Sequence, residues 1–256
     1  MVSLLVGNAF DQTVATPKTA RSNFLMRMRK KKWALPELLS CGFFIEHPQE
    51  QKGKWREIFE NPNAPMRLEL GCGKGTFAAQ MAIEYPDINF LGIDLIDDML
   101  GVAQRNIRKE YGDRERPIDN IRLTVWDIER LAMIMDEQDQ FERIYINFCN
   151  PWPKAKHRKK RLTHPKQLAL YRPHLIEDGE IWFKTDSDLL FNDSVTYFKE
   201  SGFEITYLTY DLHNSDFEHF TPMTEHEKMF TDEGIPTKFL IAKKLSNPTP
   251  LPDQAD

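Results

Sequence analysis

The chain has 256 residues, of which 41% are hydrophobic and 29% charged, and its formal net charge is −5. This composition is that of a globular protein with enough apolar residues to build a core. Its three cysteines, Cys41, Cys72 and Cys149, form no C-x-x-C pair, which argues against a zinc site and a disulfide framework. Because no run of roughly 18 apolar residues occurs, we expect no membrane span. We therefore expect a metal-free protein of the cytoplasm.

The two ends of the chain differ in composition from its middle. Residues 1–23 are rich in Thr, Ala, Ser and Asn without periodicity, and residues 246–256 carry three prolines. Such segments are typical of a disordered extension and a flexible tail. A basic run, RMRKKK, extends from Arg27 to Lys32. We therefore predict a single domain over residues 24–245 that begins with a basic N-terminal arm.

Strand-like and helix-like segments alternate through the middle of the chain. The apolar patterns predict strands at 66–73, 89–95, 121–127, 143–152, 179–186, 203–212 and 236–245. Helical spacing predicts helices at 76–85, 97–111, near 165–176 and at 190–202, with a polar loop-helix before the last strand. This alternation predicts a doubly wound, mostly parallel α/β sheet. Such sheets bind ligands at the carboxyl ends of their strands.

The ends of the first three predicted strands indicate a cofactor site. A G-x-G-x-G turn that includes Gly71 and Gly73 follows the first strand, and such a turn lets the backbone approach a ligand closely. Glu69, Asp94 and Asp127 place carboxylates at successive strand ends. Any one of them alone is more often a helix cap or a solvated residue. Together they favour a cationic, phosphate-free adenosine ligand over a dinucleotide, because Glu69 would repel a pyrophosphate.

The fourth predicted strand ends in the rigid unit Asn150-Pro-Trp-Pro, in which both prolines favour extended backbone. Trp152 could equally stack on a base or plug the sheet edge. A basic run extends from Lys154 to Arg161, and six of its eight residues are cations: Lys154, Lys156, Arg158, Lys159, Lys160 and Arg161, with His157 among them in the sequence. Charge runs are usually solvated faces. This run lies at the mouth of the predicted site, and local clusters matter more than net charge for phosphate binding, so we expect contact with RNA.

Two further segments provide candidate base-binding residues. Asp186 ends the fifth strand, and a polar segment before the last strand contains Thr224, Glu225, His226 and Glu227. Carboxylates of Asp186 and Glu227 would suit the N1–H and amino group of a guanine, although capping or ion pairing explains such residues equally well. Neither His157 nor His226 has the spacing of a metal ligand.

Several stretches together resemble the bacterial tRNA (guanine-N7)-methyltransferase family. They include RLELGCGKGTF, FLGIDL, IYINFCNPWPKAKHRKKRLTHP, GEIWFKTDSDLLF and TEHEKMFTDEGIPTKFL, and they extend in order from about Met26 to Leu245. The resemblance implies a class I methyltransferase fold with a seven-stranded sheet. It also implies S-adenosylmethionine as cofactor, tRNA as partner, and methylation of the variable-loop guanosine at position 46. The protein is expected to be a monomer or a homodimer.

The resemblance also implies roles for individual residues. The cofactor contacts would be Glu69, Asp94, Asp127 and Asn150. The guanosine contacts would be Lys154, Asp186 and Thr224 to Glu227, and the RNA-interacting run would be Lys156 to Arg161. One residue departs from the family pattern, which commonly has Asp where this chain has Asn150. Since guanine N7 carries a lone pair and no proton, an amide there remains compatible with catalysis, and we take Asn150 and Asp186 as the candidate catalytic residues.

Three other readings of the residues stay open at this point. A related enzyme could methylate a protein or a small metabolite, which a labelled-methyl assay would distinguish. A non-catalytic RNA-binding module would bind the cofactor without transferring its methyl group, and Asn150 is the residue that raises this reading. A nicotinamide-dependent reductase is disfavoured by Glu69 at the glycine turn.

Overall fold

A computed structural model of the protein describes residues 30–246. The expectations for residues 1–23 and for the tail beyond Ser246 lie outside the described residues. From Lys31 onwards the described residues belong to one compact unit. None of the helices within residues 30–246 combines the length and apolar character needed to cross a membrane.

Seven strands form a single sheet in the order β3-β2-β1-β4-β5-β7-β6. All neighbours are parallel except at β7, which runs antiparallel to both β5 and β6. The predicted doubly wound, mostly parallel, seven-stranded sheet is therefore confirmed. The strands are β1 (Met66–Leu70), β2 (Asn89–Asp94), β3 (Ile121–Val125), β4 (Phe141–Asn147), β5 (Leu175–Thr185), β6 (Phe203–Thr209) and β7 (Lys238–Lys244).

Within the described residues, six α-helices accompany the sheet, and short 3-10 helices join several of the elements. Helices α1, α2 and α3 contribute to the apolar cluster on one face of the sheet, and α4 and α5 to the cluster on the other. The α-helices are α1 (Ala34–Leu39), α2 (Thr76–Glu84), α3 (Asp97–Gly112), α4 (Pro165–Tyr171), α5 (Asp188–Glu200) and α6 (Glu225–Asp232).

Two predicted boundaries are wrong for local backbone reasons. The fourth strand stops at Asn147 instead of residue 152, because Phe148 has a φ of 50° and the prolines beyond it cannot donate ladder hydrogen bonds. The predicted helix near 165–176 ends at Tyr171. A 3-10 turn containing Pro173 follows, and β5 already begins at Leu175.

Strand alternation decides which side chains reach the functional edge. On β1, Leu68 and Leu70 enter the cluster that packs against α4 and α5. Between them, the intervening Glu69 points to the opposite face, in register with Tyr145, which packs edge-on against Phe77 of α2. A carboxylate is thereby buried beside an aromatic cluster.

The first helix, α1, packs directly on α3. The sequence did not predict α1, because this helix spans fewer than two turns. At Gly101 of α3, an added Cβ would lie 2.4 Å from the Cβ of Ala34. Just before α1, the ring of Trp33 lies 3.6 Å from the guanidinium of Arg105, and the amide of Lys31 donates to Asp98 at 3.0 Å. These contacts attach the beginning of the described chain to α3.

We predict that Gly101→Ala destabilises the protein although alanine favours helix. The new methyl group must displace the backbone of Ala34, at an overpacking cost of about 1–3 kcal/mol that exceeds a propensity gain of up to about 1 kcal/mol. Urea unfolding should show a lower free energy of unfolding. The control is Gly112→Ala, at the exposed end of the same helix, where an added Cβ meets nothing within 4 Å. An unchanged Gly101→Ala variant would refute the close packing of α1 on α3.

Candidate active site

A cavity of about 210 Å³ opens at the carboxyl ends of β1, β2 and β4. Predicted cofactor-binding residues and predicted base-binding residues meet in its wall. Among the predicted residues, the wall contains Glu69, Gly71, Gly73, Asp94, Thr224, Glu225 and His226. The sequence reasoning did not single out Lys74, Phe77, Met99, Asn147 or Phe148, which also line it.

Glu69 supplies a buried carboxyl group to this cavity. Its Oε1 accepts a hydrogen bond from Asn147 Nδ2 at 3.0 Å, while its Oε2 is buried without a partner among the described residues. The pKa of Glu69 is raised to about 8, mainly by burial and to a smaller extent by the nearby charge of Asp94. An unpartnered buried acceptor of this kind suits a cationic ligand.

Asp94 shapes the glycine turn. Its Oδ2 accepts from the amide of Gly73 and its Oδ1 from the amide of Ile96, both at 2.9 Å. Burial raises the pKa of this carboxyl, and the two amide hydrogen bonds oppose the rise. Asp94 was predicted to contact the cofactor. In the structure its carboxylate also fixes the backbone of the glycine turn that would hold the ligand.

Asp127 and Asn150 lie outside the cavity wall. Asp127 caps the 3-10 helix Ile128–Met133 by accepting from the amide of Glu129 at 3.0 Å. Asn150 is exposed, and its Oδ1 accepts from the amide of Trp152 at 3.1 Å. The strand end that reaches the cavity is Asn147 instead. Its position as the polar end of an apolar strand is the same signal that drew attention to Glu69, so the sequence could have indicated it.

Arg161, the last residue of the predicted RNA-interacting run, does not lie on the surface. Its side chain is completely buried and forms an ion pair with Asp193 at 2.5 Å. The guanidinium also donates to the carbonyls of Pro151, at 2.8 Å, and Trp152, at 3.3 Å. Because the donors of this guanidinium are directed into the protein, Arg161 braces the turn in which Trp152 adopts a φ of 40° and does not contribute to the exposed part of the run.

The rest of the cationic run does form a surface. The 3-10 helix Ala155–Lys160 presents exposed side chains, and Lys154 immediately before it is exposed as well. The Nζ of Lys160 lies 5.3 Å from the ring of Trp152, and the ring of His157 lies 5.5 Å from it. Desolvation and the neighbouring lysines lower the pKa of His157. The resulting surface combines cations with an aromatic platform.

Glu227, which was predicted with Asp186 to bind the guanine, pairs with Lys184 inside the protein. It is fully buried, and both of its oxygens accept from Lys184 Nζ, at 3.0 and 3.2 Å. The side chain of Thr224 and the carboxylate of Glu227 also form a capping box at the start of α6. Because its oxygens are occupied inside the protein, Glu227 does not face the cavity. These contacts are the capping and ion pairing that the sequence left open as the alternative for this residue.

Asp186 lies just beyond β5, half-buried and outside the cavity wall. Lys238 Nζ binds its main-chain carbonyl at 2.9 Å, and burial raises the pKa of its carboxyl group. The charges of Lys238 and His226 lower that pKa in opposition to burial.

The start of α6 forms one side of the cavity mouth. Glu225 pairs with Lys74 of the glycine turn, so the two predicted binding segments touch across the opening. The ring of Phe230 stacks with Phe148, at a centroid separation of 6.1 Å, and with His226, at 6.5 Å. Within residues 30–246, no group of three or more His, Cys, Asp or Glu residues is arranged to hold a metal ion.

Known proteins align with most of this chain. A family model described as "Putative methyltransferase" matches residues 63–240. The tRNA (guanine-N(7)-)-methyltransferase of Clostridium botulinum (strain Eklund 17B / Type B) is 58% identical over 219 residues, which cover 86% of this chain and 99% of that protein. Proteins of the same name from Clostridium perfringens (strain SM101 / Type A) and Acetivibrio thermocellus are 54% and 51% identical, and each alignment covers 86% of this chain and 100% of the relative.

The matched region contains the glycine turn, the Asn-Pro-Trp-Pro unit and the start of α6, so it includes every element that forms the cavity. Identity above one half over nearly the whole of each relative confirms the family resemblance inferred from the sequence. The chain belongs to the family of tRNA (guanine-N(7)-)-methyltransferases.

Proposed function

We propose that this protein transfers the methyl group of S-adenosylmethionine to N7 of the guanosine at position 46 in the variable loop of tRNA. The observation that carries the proposal is the cavity itself. It joins the unpartnered carboxyl oxygen of Glu69 to the Thr224–His226 segment, beside an exposed cationic surface. The names of relatives whose alignments cover 86% of this chain support the same substrate.

The cavity fits S-adenosylmethionine, which supplies an activated methyl group on a sulfonium cation. Glu69 Oε2 would accept from or pair with the positively charged part of the cofactor. The positive φ of Gly71 and of Gly73, 75° and 54°, brings main-chain atoms to the cavity wall without a Cβ. Asp94 would keep this turn in shape through its bond to Gly73.

The protein's own contribution to the reaction would be alignment. Guanine N7 has an in-plane lone pair and no proton, so no general base is needed before attack. Holding two reactants in line can contribute about 7–11 kcal/mol to the rate. Thr224 and His226 in the wall, with Asp186 nearby, would grip the guanine, and the carboxylate of Asp186 would stabilise the charge that develops on it. Asn150 would act from outside the wall through its amide.

The exposed cations of residues 154–160 would hold the tRNA backbone. They lie immediately after the strand that provides Asn147 and Phe148 to the cavity, so a phosphate bound there is near the methyl-transfer site. The Trp152 ring beside them offers a flat apolar surface to an unstacked base. We place this reaction in the cytoplasm, which suits the unpaired state of all three cysteines.

Nucleoside mass spectrometry tests the proposal directly. Unmodified tRNA incubated with the protein and S-adenosylmethionine should gain 7-methylguanosine, and nuclease mapping should place it in the variable loop. A transcript with adenosine at position 46 serves as control and should remain unmodified. Equal methylation of that transcript would contradict the assigned position. A complete lack of 7-methylguanosine, with cofactor still bound, would favour a non-catalytic RNA-binding protein.

We predict that the affinity for S-adenosylmethionine rises with pH up to about 8. A cationic ligand favours the carboxylate and so lowers the pKa of Glu69 from about 8 on binding. Below that pH the protein must release a proton as it binds, which weakens binding, and above it the dependence disappears. Calorimetry in two buffers of different ionisation enthalpy at neutral pH should detect this release. The Glu69→Gln variant should bind more weakly and lose the pH dependence, and an identical slope in the variant would disprove the role of Glu69.

We predict that Lys156→Glu/Lys159→Glu weakens tRNA binding and flattens its salt dependence. Each lost phosphate contact should reduce the slope of log affinity against log salt by about 0.7–0.9. Cofactor affinity should stay unchanged, because both lysines lie outside the cavity wall. The matched control is Lys54→Glu/Lys199→Glu, which alters net charge equally at exposed positions elsewhere. If both double variants weaken binding equally, only net charge matters and the local surface has no special role.

A further inference from the structure

A buried cluster of charged side chains lies beneath the start of α6. Lys184, near the end of β5, is 1% exposed, and its partner Glu227 is 0% exposed. The ammonium group also donates to the carbonyl of Pro222 at 3.3 Å. Lys184 therefore reaches from the sheet into the loop before α6 and binds both ends of the segment 222–227.

Glu227 transmits this attachment to the cavity wall. One oxygen accepts from the amide of Thr224 at 3.2 Å, and the amide of Glu227 donates to the hydroxyl of Thr224 at 3.0 Å. The other oxygen lies 3.2 Å from His213 Nε2. Three residues between these anchors, Thr224, Glu225 and His226, line the cavity. The position of this part of the wall thus depends on one carboxylate that never touches the cavity.

Stability alone is a poor explanation for this arrangement. A buried ion pair costs several kcal/mol in desolvation per ion, so apolar residues of similar volume often stabilise a protein as well or better. What an ion pair with several hydrogen bonds does provide is one defined geometry. The Lys184–Glu227 pair connects the sheet to the least regular part of the cavity wall, where defined geometry is needed.

Lys184 also stands next to the cofactor side of the cavity. It is in register with Asn147 of β4, which donates to Glu69. Its ammonium lies 5.7 Å from the ring of Phe77, another residue of the wall. A row of polar side chains on adjacent strands, Glu69, Asn147 and Lys184, therefore extends from the cofactor carboxylate to the anchor of α6.

We propose that Lys184 is a positioning residue that acts through Glu227 to hold Thr224–His226 in the conformation that binds the target guanosine. This inference rests on the proposed function of the cavity. Lys184 and Glu227 do not contact the base. They fix the position and orientation of Thr224–His226 relative to the sheet. His213, which is partly exposed, makes a third contact with the same carboxylate.

The decisive variant is Lys184→Met/Glu227→Gln, which removes the ion pair and leaves no buried charge behind. The capping hydrogen bond to Thr224 can persist through the glutamine oxygen, but the link to the sheet is lost. We expect the KM for tRNA to rise about tenfold, equivalent to about 1.4 kcal/mol. The Kd for S-adenosylmethionine should change less than about twofold. A merely structural defect would lower kcat by reducing the active fraction and leave the KM for tRNA as it is.

The matched control is Arg143→Met/Glu180→Gln. This ion pair, with an N–O distance of 3.0 Å, involves the middle of the same strand β5, and neither residue lines the cavity wall. It should leave the KM for tRNA unchanged. An unaltered KM in the folded Lys184/Glu227 double variant, or a parallel loss of cofactor affinity, would overturn the proposal.

A surface variant keeps the test decisive if the double variant does not fold. His213→Ala removes one brace from Glu227 at a side chain that is 30% exposed. It should raise the KM for tRNA about threefold, whereas His219→Ala, at an exposed histidine that packs against Phe217, should not. An unchanged KM in His213→Ala would then overturn the proposal. Failure of the wild-type protein to form any 7-methylguanosine would instead refute the proposed function.

Discussion

The structure depends on a carboxyl group buried in the face of a parallel sheet with one of its oxygens unpartnered. Glu69 occupies a position where strand alternation requires a side chain on the aromatic face, and Asn147 satisfies only one of its two oxygens. Burial keeps its pKa near 8, so the protein carries a group that gains charge when a cation arrives. The glycine turn, Asp94 and the start of α6 are arranged around this group.

Buried ionic contacts position the surfaces on either side of the cavity. Arg161 binds two carbonyls of the Asn-Pro-Trp-Pro turn from below and pairs with Asp193. Lys184 holds the opposite wall through Glu227. Arg161 and Glu227, two charged residues that resemble ligand contacts in the sequence, thus serve inside the protein, and the segments they support lie at the exposed cationic surface and in the cavity wall. The desolvation of these charges is compensated by several hydrogen bonds apiece, which is the condition under which buried ions are tolerated.

Fold and cavity differ in how far the sequence reveals them. Apolar periodicity located all seven strands and the order of helices between them, because a strand buried on both faces leaves a continuous apolar run. Boundaries failed where single residues override periodicity, as at Phe148 with its positive φ and at Pro173. Helix α1 was missed because six residues carry too little pattern to distinguish them from a loop.

The sequence by itself determined the sheet, the glycine turn, the acidic strand end at Glu69 and the family. These are local or strictly periodic features, so neighbouring residues specify them. Only the tertiary structure decided which charges face the cavity. Arg161 and Glu227 lie in runs of polar residues, and nothing in such a run distinguishes an exposed cation from one whose partner, Asp193 or Lys184, is supplied by a distant element. Burial is a property of the assembled fold, and burial is what separates a residue that touches substrate from one that positions it.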